Sequence, residues 1–329
     1  MAYDGRIMQR ALTRFDEDKQ RRAAQLEQRR RTAYARAPRL AEIEAELRGT
    51  MGRIISSALA RGTDPVPAIR VLRDENLQLQ RERAELLASL GYPADYLEEK
   101  PACGKCGDTG YVSGGVCACL RAYYAREQLA ELSRLLPLGE DSFETFSFDW
   151  YDSAVQPAFG ISPRENMERN YDVCRDYAYQ FAKGSGDLLL SGGTGLGKTF
   201  LSACIARVVS ENGFSVVYDT AASVFSRFED AKFRRDDGGS EDADRCMRCD
   251  LLILDDLGTE MTTSFVQSAL YQIVNGRLMA GRSTIISTNL APEEIGSRYG
   301  RSVLSRLEGE YEILPFFGED IRRLKRERQ

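Results

Sequence analysis

The sequence predicts an α/β fold in its C-terminal half, with a five-stranded parallel sheet, preceded by a helical N-terminal region. The apolar segments that predict strands lie near residues 187–191, 215–219, 250–255, 284–288 and 311–314. Helical stretches separate them, and strands that alternate with helices are typical of a parallel sheet. The run from Leu251 to Leu254 is continuously apolar, as expected of a strand that is buried on both faces.

Residues 1–99 are predicted to be a helical partner-binding region. Apolar residues recur at spacings of three and four, the period of one helical face, at Leu40, Ile43, Leu47, Met51 and Ile54. The sequence Gly-Thr-Asp-Pro at 62–65 ends this helix and begins a second one. In the second helix a heptad seam runs from 69 to 90, with Asn76 and Arg83 at core positions. A helical hairpin or short coiled coil fits this pattern, and the alternative is a two-helix bundle without a partner.

Residues 100–122 are predicted to form a zinc knuckle. Cys103 and Cys106 make a CxxC pair, and Cys117 and Cys119 make a CxC pair ten residues later. Four thiolates suit the tetrahedral coordination of zinc, in a closed structural site. The segment has too few apolar residues to fold without a metal. The alternative is a set of free thiols in a glycine-rich loop.

Composition excludes several classes of protein. The net charge is −5, but residues 6–39 carry eleven Lys or Arg against four Asp or Glu, and there is no histidine. No apolar run reaches 18 residues and no signal peptide is recognisable, so we expect a cytoplasmic protein without a membrane partner. Any catalysis has to proceed without imidazole.

A phosphate-binding loop follows the first strand of the α/β region. The pattern GxxxxGK[ST] is filled by Gly192, Gly193, Thr194, Gly195, Leu196, Gly197, Lys198 and Thr199. Strand, glycine loop and helix are the context that this pattern requires, which argues against a chance glycine-rich turn. We expect Lys198 to reach the β- and γ-phosphates of ATP and the Thr199 hydroxyl to bind Mg²⁺.

Acidic residues follow the buried strand at 250–255. Asp255 is predicted to hold Mg²⁺, through water, and Asp256 to polarise the attacking water. Two adjacent acids at a strand end are rarely structural, because burying them unpaired is costly. Asn289 ends the next strand, where its amide can position water beside the γ-phosphate. These residues predict ATP hydrolysis.

Residues 123–160 are predicted to be a linker and an aromatic connector, followed by the ATPase domain at 161–329. Five aromatic residues fall within ten positions, namely Phe143, Phe146, Phe148, Trp150 and Tyr151. A segment this aromatic packs either on the following domain or on a purine base.

The order of these motifs resembles an AAA+ ATPase. The strings GGTGLGKTFLSACIA, LLILDDLG, TIISTNL, SRYGRSVLSRLEG and FFGEDIRR, together with CGKCGDTGYV and CACL, resemble bacterial and phage helicase loaders of the DnaC/DnaI type. The resemblance covers residues 100–325. It implies an ATPase domain without a helical lid, which agrees with the short segment after the last predicted strand.

The resemblance also implies two further site residues. Arg306 falls where the family has an arginine finger, which completes the ATP site of a neighbouring subunit, so self-association is implied. Arg322 falls at the sensor 2 arginine, near the γ-phosphate. Most AAA+ proteins have Asp-Glu where this chain has Asp255 and Asp256, and the shorter acid implies slow hydrolysis.

The function implied by the resemblance is that of a helicase loader, which binds the replicative DNA helicase and delivers it to single-stranded DNA. Loaders face the DNA with a segment that here carries four basic residues, Arg227, Lys232, Arg234 and Arg235. Acidic residues follow at once, so a solvated loop is an equally good interpretation. Two other functions stay open: an IstB-type transposition helper ATPase, and an ATP-binding scaffold without significant turnover.

Overall fold

The structure of the protein is a computed structural model that describes residues 3–59, 66–135, 142–233 and 237–327. The chain forms two compact units. One comprises Met1–Leu12 together with Ala118–Gln329, and the other comprises Thr13–Cys117. Within the described ranges, no helix is both long enough and apolar enough to cross a bilayer.

The unit Thr13–Cys117 is mainly helical, as predicted. Its elements are α1 (Gly5–Arg36, which begins in the other unit), α2 (Arg39–Leu59), α3 (Val66–Ser89), β1 (Tyr111–Val112) and β2 (Gly115–Val116). The strands β1 and β2 pair antiparallel. The helices α2 and α3 pack as an antiparallel pair, in which Arg39 binds Glu82 at 2.9 Å and Arg83 binds Glu44 at 3.1 Å. The two helices therefore form a helical hairpin, and its binding to a partner stays a prediction.

The hairpin buries part of the predicted apolar face. Leu40 and Ile43 are fully buried, and Leu87 of α3 packs in the same cluster as Leu40. Arg83, predicted at a core position of a seam, instead forms an ion pair with Glu44 inside the hairpin. The side chains of Met51, Ile54 and Ile69, also named in that prediction, lie outside the part of the chain that the structure describes.

The other unit contains the predicted five-stranded parallel sheet. Its strands are β3 (Asp187–Gly192), β4 (Val216–Thr220), β5 (Leu251–Leu257), β6 (Ser283–Thr288) and β7 (Tyr311–Phe316). They are all parallel and lie in the order β4-β5-β6-β3-β7. The carboxyl ends of β3, β5 and β6 therefore meet at one edge, where ligands bind in open α/β sheets.

Helices cover both faces of this sheet. They are α4 (Ala118–Leu135), α5 (Pro163–Tyr179), α6 (Lys198–Glu211), α7 (Ala221–Phe233), α8 (Asp237–Arg248), α9 (Ser264–Met279), α10 (Pro292–Tyr299), α11 (Arg301–Glu310) and α12 (Ile321–Glu327). Alternate residues of one strand face opposite sides. Leu188 accordingly packs in the cluster that contains α5 and α6, and Leu189 packs in the cluster that contains α7 and α9. In the described residues, β7 is followed by α12.

The sequence predicts a helix over roughly 163–183, ending at a Lys-Gly pair, but α5 ends earlier, at Tyr179. Ser185 explains the early end. Its hydroxyl accepts the N–H of Ala182 at 2.7 Å and donates to the carbonyl of Ala182 at 2.9 Å. Such side chain to backbone bonds stabilise a turn in competition with the helix.

Candidate functional site

The glycine loop lies at the carboxyl end of β3 and leads directly into α6. Gly195 has a φ of +71°, and a Cβ atom there would lie 1.9 Å from the Oδ1 atom of Asp320. Gly197 has a φ of +97°, and a Cβ atom there would lie 2.7 Å from the hydroxyl of Tyr151. Both positions therefore require glycine, for the left-handed backbone and for the close approach of a side chain. The loop brings backbone N–H groups to the N-terminus of α6, an arrangement that favours phosphate.

Lys198, the first residue of α6, is only 4% exposed. Its ammonium group donates to the carbonyls of Gly192 and Gly193, each at 2.6 Å, and to Oδ1 of Asn289 at 2.7 Å. These bonds use all three ammonium protons. Burial lowers the pKa of Lys198, against the opposing effect of Asp256 and Asp255. The structure thus brings the predicted lysine and the predicted amide into direct contact.

Asp255 lies on β5 and is 5% exposed. Its Oδ1 atom accepts the Thr199 hydroxyl at 3.3 Å and also the Ser287 hydroxyl, and its Oδ2 atom accepts the Tyr218 hydroxyl at 2.7 Å. A buried carboxylate next to a threonine hydroxyl offers the hard oxygen ligands that Mg²⁺ prefers. The donor set therefore fits a magnesium ion held by Asp255 and Thr199. Burial and the Asp255 charge raise the pKa of Tyr218, which keeps its hydroxyl a donor.

A β-bulge sets the direction of the next acid, Asp256. The register between β5 and β6 shifts between Leu254 and Leu257, and bulges of this kind re-aim side chains next to functional sites. Asp256 has a φ of +54°, a conformation that Asp adopts more often than most other non-glycine residues. Its N–H donates to the Ser287 hydroxyl at 2.9 Å. Burial and the neighbouring Asp255 charge raise the pKa of Asp256, whereas Lys198 and Arg322 lower it.

A cavity of about 470 Å³ lies over these groups, within the usual range for small-molecule sites. The predicted residues in its wall are Thr194, Gly195, Leu196, Gly197, Lys198, Thr199, Asp256, Asn289 and Arg322. Asp255 lies beneath the wall, in contact with Thr199. Most of the predicted site is therefore gathered around one cavity of nucleotide size.

The structure places the aromatic connector in two environments. Phe143 is buried in the domain core, where its carbonyl accepts the Tyr171 hydroxyl at 2.9 Å. Phe146, Trp150 and Tyr151 line the cavity. The connector packs on the domain with one part and supplies an aromatic wall with the other.

Sequence reasoning missed several lining residues. Phe200 contacts Phe146 edge to face, with ring centroids 5.4 Å apart, and Ile321 also lines the cavity. Lys325 lies over the Trp150 ring, with its Nζ atom 5.5 Å from the centroid. The dense aromatic run gave a signal for Trp150, but nothing in the sequence distinguished Ile321 or Lys325 from other residues of a short terminal helix.

Gly192 and Gly193 accept hydrogen bonds from Lys198 without lining the cavity, and Arg306 and the basic segment also lie outside the cavity wall. Arg306 is on α11, with 44% of its side chain exposed, and its Nη1 atom lies 3.9 Å from Oε1 of Glu310. In the basic segment, Arg227 pairs with Asp219 and Lys232 lies over the Phe265 ring at 5.3 Å. Arg234 and Arg235 fall in a stretch that the structure does not describe.

The four cysteines of the predicted knuckle come together. The sulfur atoms of Cys103, Cys106, Cys117 and Cys119 all lie within 4.8 Å of one another, and those of Cys103 and Cys117 are 3.8 Å apart. Four sulfurs at the usual zinc distance of about 2.3 Å would be separated by about 3.8 Å in a tetrahedron. The cluster therefore has the size that a zinc ion requires.

Asp108 supports the first cysteine pair. Its carboxylate accepts the N–H groups of Ala102 at 3.0 Å and Cys103 at 2.9 Å, and it binds Arg22 at 2.8 Å. Burial alone would raise the pKa of Asp108, but these N–H groups and the guanidinium bring it below its usual value. The sequence gave no signal for this role, because aspartate is common in such turns.

The sheet order, the glycine loop and the gathered polar groups define an α/β protein of the P-loop nucleotide-binding class. Residues 173–329 match the family described as IstB-like ATP binding protein. This part of the chain is therefore similar to IstB-like ATP binding proteins.

Among curated proteins, the chain is similar in sequence to an uncharacterized protein and to a replicative helicase loader. It is 31% identical over 161 residues to the uncharacterized protein YdaV of Escherichia coli strain K12, covering 45% of this chain and 64% of the relative. It is 30% identical over 135 residues to the replicative helicase loader DnaC of the same strain, covering 40% of this chain and 54% of DnaC. The chain thus spans about half to two thirds of the length of these relatives. The predicted resemblance to helicase loaders is confirmed.

A solved structure, that of the DnaC helicase loader, aligns with 55% of this chain and 99% of its own, at 20% identity and a TM-score of 0.46. At this score the likeness carries no further conclusion.

Lys198→Ala should weaken ATP binding by roughly 10- to 100-fold, since hydrogen bonds to a charged group are worth about 1.5–3 kcal/mol. Trp150 is the sole tryptophan of the chain and lines the cavity, so its fluorescence should report ATP binding. Lys183→Ala, at an exposed residue, is the matched control. An unchanged ATP affinity in Lys198→Ala would show that the cavity is not the site of the triphosphate.

The purified protein should contain one zinc ion per chain. Replacing Cys103 and Cys106 together by Ser should release the ion while ATP affinity stays at its original value, because the ATP site lies on other elements. Elemental analysis measures the metal, and Cys246→Ser at a buried cysteine outside the cluster is the control. Protein purified without chelators that holds no zinc contradicts this assignment.

Proposed function

We propose that this protein is an ATP-dependent helicase loader. It binds the replicative DNA helicase through its N-terminal region and delivers the helicase to single-stranded DNA in replication initiation. The observation that carries the ATP-dependent part is the single cavity where Lys198, Asp256 and Asn289 meet, with Asp255 beneath it.

In the proposed reaction, Lys198 exchanges one of its backbone acceptors for oxygens of the β- and γ-phosphates, and the glycine loop donates its N–H groups to them. Thr199 and Asp255 would hold Mg²⁺, and the bound ion would neutralise phosphate charge. Asp256 accepts a hydrogen bond from the attacking water and Asn289 positions that water. Arg322, in the cavity wall, adds positive charge near the γ-phosphate.

Slow hydrolysis follows from the second acid. An aspartate at 256 is one methylene shorter than the glutamate that most AAA+ proteins have there, so it reaches less far towards the attacking water. A slow ATPase suits a switch that holds and then releases a partner.

We propose a separate role for each segment of the chain. Residues 1–99 bind the helicase, residues 100–122 form the zinc knuckle, residues 123–160 connect, and residues 161–329 form the ATPase domain. The helical hairpin of α2 and α3 supports a docking role, since such pairs present long exposed faces. The relative DnaC, a replicative helicase loader by name, supports the choice of partner.

The proposal also includes self-association of the protein and its contact with single-stranded DNA. The exposed position of Arg306 on α11 supports its role as a finger for the ATP site of a neighbouring copy. Contact with single-stranded DNA is proposed for the basic residues around Lys232, because phosphate binding requires such a cluster.

A second candidate is a transposition helper ATPase of the IstB type, and the match of residues 173–329 to IstB-like ATP binding proteins favours it. The cysteine cluster and the long N-terminal helices favour the loader, because the helper usually lacks the cysteine set. A scaffold that binds ATP without turnover is the third possibility.

Loading is the direct test of the proposed function. The full chain should form a complex with the replicative helicase of its own replication system, and ATP should increase helicase transfer to circular single-stranded DNA. Size-exclusion chromatography measures the complex and helicase unwinding measures the transfer. Binding to a transposase instead of the helicase would favour the second candidate, and ATP binding without turnover, with or without DNA, would favour the scaffold.

Arg306→Ala should bind ATP nearly as well as the wild type but hydrolyse it at least 10-fold more slowly. The reason is that a rigid, permanently charged guanidinium best meets the charge on the transferred phosphoryl group. Phosphate release measures turnover. Arg301→Ala, at an exposed position of the same helix, is the matched control.

Mixing variants tests whether Arg306 acts on a neighbour. Lys198→Ala subunits keep Arg306 and can lend it to Arg306→Ala subunits, whose own P-loop is intact. Part of the activity should therefore return in mixed assemblies. Absence of any return, where mixed assemblies demonstrably form, contradicts the assignment of the finger.

A further inference from the structure

The carboxylate of Asp255 accepts hydrogen bonds from hydroxyls on both neighbouring strands. Tyr218 donates to its Oδ2 atom at 2.7 Å, and Ser287 donates to its Oδ1 atom. The strands β4 and β6, which carry these residues, flank β5 on either side. Hydrogen bonds from the strands on both sides of β5 therefore hold the Asp255 carboxylate.

The sheet register explains how Tyr218 reaches the carboxylate. In the pairing of β4 with β5, Thr220 lies opposite Asp255 and Tyr218 lies opposite Ile253. Residues two apart on a strand share a face, so Tyr218 is on the same face as the residue opposite Asp255. Its long side chain runs along the strand and places the hydroxyl at the Oδ2 atom.

Burial increases the cost of losing the hydrogen bonds to Asp255. Asp255 is 5% exposed, Tyr218 is 3% exposed and Ser287 is fully buried. Water therefore has little access to take the place of a lost donor, and a desolvated carboxylate without donors is costly. Hydrogen bonds to an ionised acceptor are about twice as strong as neutral ones.

The two hydroxyls donate to different oxygen atoms of the Asp255 carboxylate. Because Tyr218 occupies Oδ2, the Oδ1 atom is the one that points to the P-loop, where the Thr199 hydroxyl lies at 3.3 Å. Ser287 in addition accepts the N–H of Asp256 at 2.9 Å, so one hydroxyl fixes both acids of the bulge.

We propose that Tyr218 and Ser287 are positioning residues, which fix the rotation of the Asp255 carboxylate so that its Oδ1 atom and the Thr199 hydroxyl face a common Mg²⁺ ion. The inference deepens the proposed function, on which it rests, by assigning the outer contacts of the magnesium site. Neither residue lines the cavity.

The test is the Mg²⁺ dependence of ATP binding, measured by calorimetry on the full chain. Tyr218→Phe keeps the buried ring but removes the donor. Mg²⁺ increases the affinity for ATP, and the Mg²⁺ concentration that gives half of this increase should rise by roughly 10- to 100-fold in the variant. This is the usual effect of removing an outer contact of a metal site. ATP affinity in the presence of a chelator should not change.

Tyr177→Phe is the matched control, because its hydroxyl donates to the carbonyl of Gly186 at 3.1 Å, at the start of β3. It removes a tyrosine hydroxyl bond from the same domain without touching Asp255. Its Mg²⁺ dependence should equal that of the wild type.

A Tyr218→Phe variant that loses thermal stability but keeps the wild-type Mg²⁺ dependence overturns the inference, because the hydroxyl then serves packing alone. Should this variant not fold, Ser287→Ala carries the same expectation and the same contrary result. A wild-type protein that does not bind ATP at all would end the proposed function instead. The two failures are thus distinguishable.

Discussion

The buried carboxylate of Asp255 is the constraint on which the rest of the site depends. A charge that is 5% exposed has to be met by donors, and the fold supplies them from three different elements. Thr199 comes from the start of α6, Tyr218 from β4 and Ser287 from β6. Satisfying this one group ties the glycine loop to the middle of the sheet, and it sets the positions of the elements that surround the cavity.

The positive charge of Lys198 is satisfied in a similar way. Lys198 is as buried as Asp255, and its three acceptors come from the end of β3 and from Asn289 after β6. The Asp255 carboxylate and the Lys198 ammonium group thus lie close together. Each forms hydrogen bonds with polar groups, and bound ATP and Mg²⁺ can replace or add to these contacts. This arrangement explains why one loop and two strand ends, far apart in sequence, act as one site. It also explains why the bulge at Asp256 is tolerated, since Ser287 secures its backbone.

The local patterns of the sequence were sufficient for the sheet and for the glycine loop. Continuous apolar runs predicted the strands to within about two residues, because a parallel sheet buries both faces. The sequence could not predict the role of Tyr218, since a tyrosine in a strand is also expected for ordinary packing. The end of α5 depended on the turn made by Ser185, which competes with a helix that is otherwise favourable. The bulge at Asp256 arises from pairing between strands, which one strand alone does not encode.

The most direct test of the central claim is the affinity for ATP of the wild type and of Asp255→Asn, each with Mg²⁺ and with a chelator. Asparagine keeps the size of the side chain but removes the charge that holds the metal. The wild type should bind ATP more tightly with Mg²⁺ than with the chelator, and Asp255→Asn should lose that gain while its affinity with the chelator remains. An equal gain from Mg²⁺ in both proteins would contradict the account.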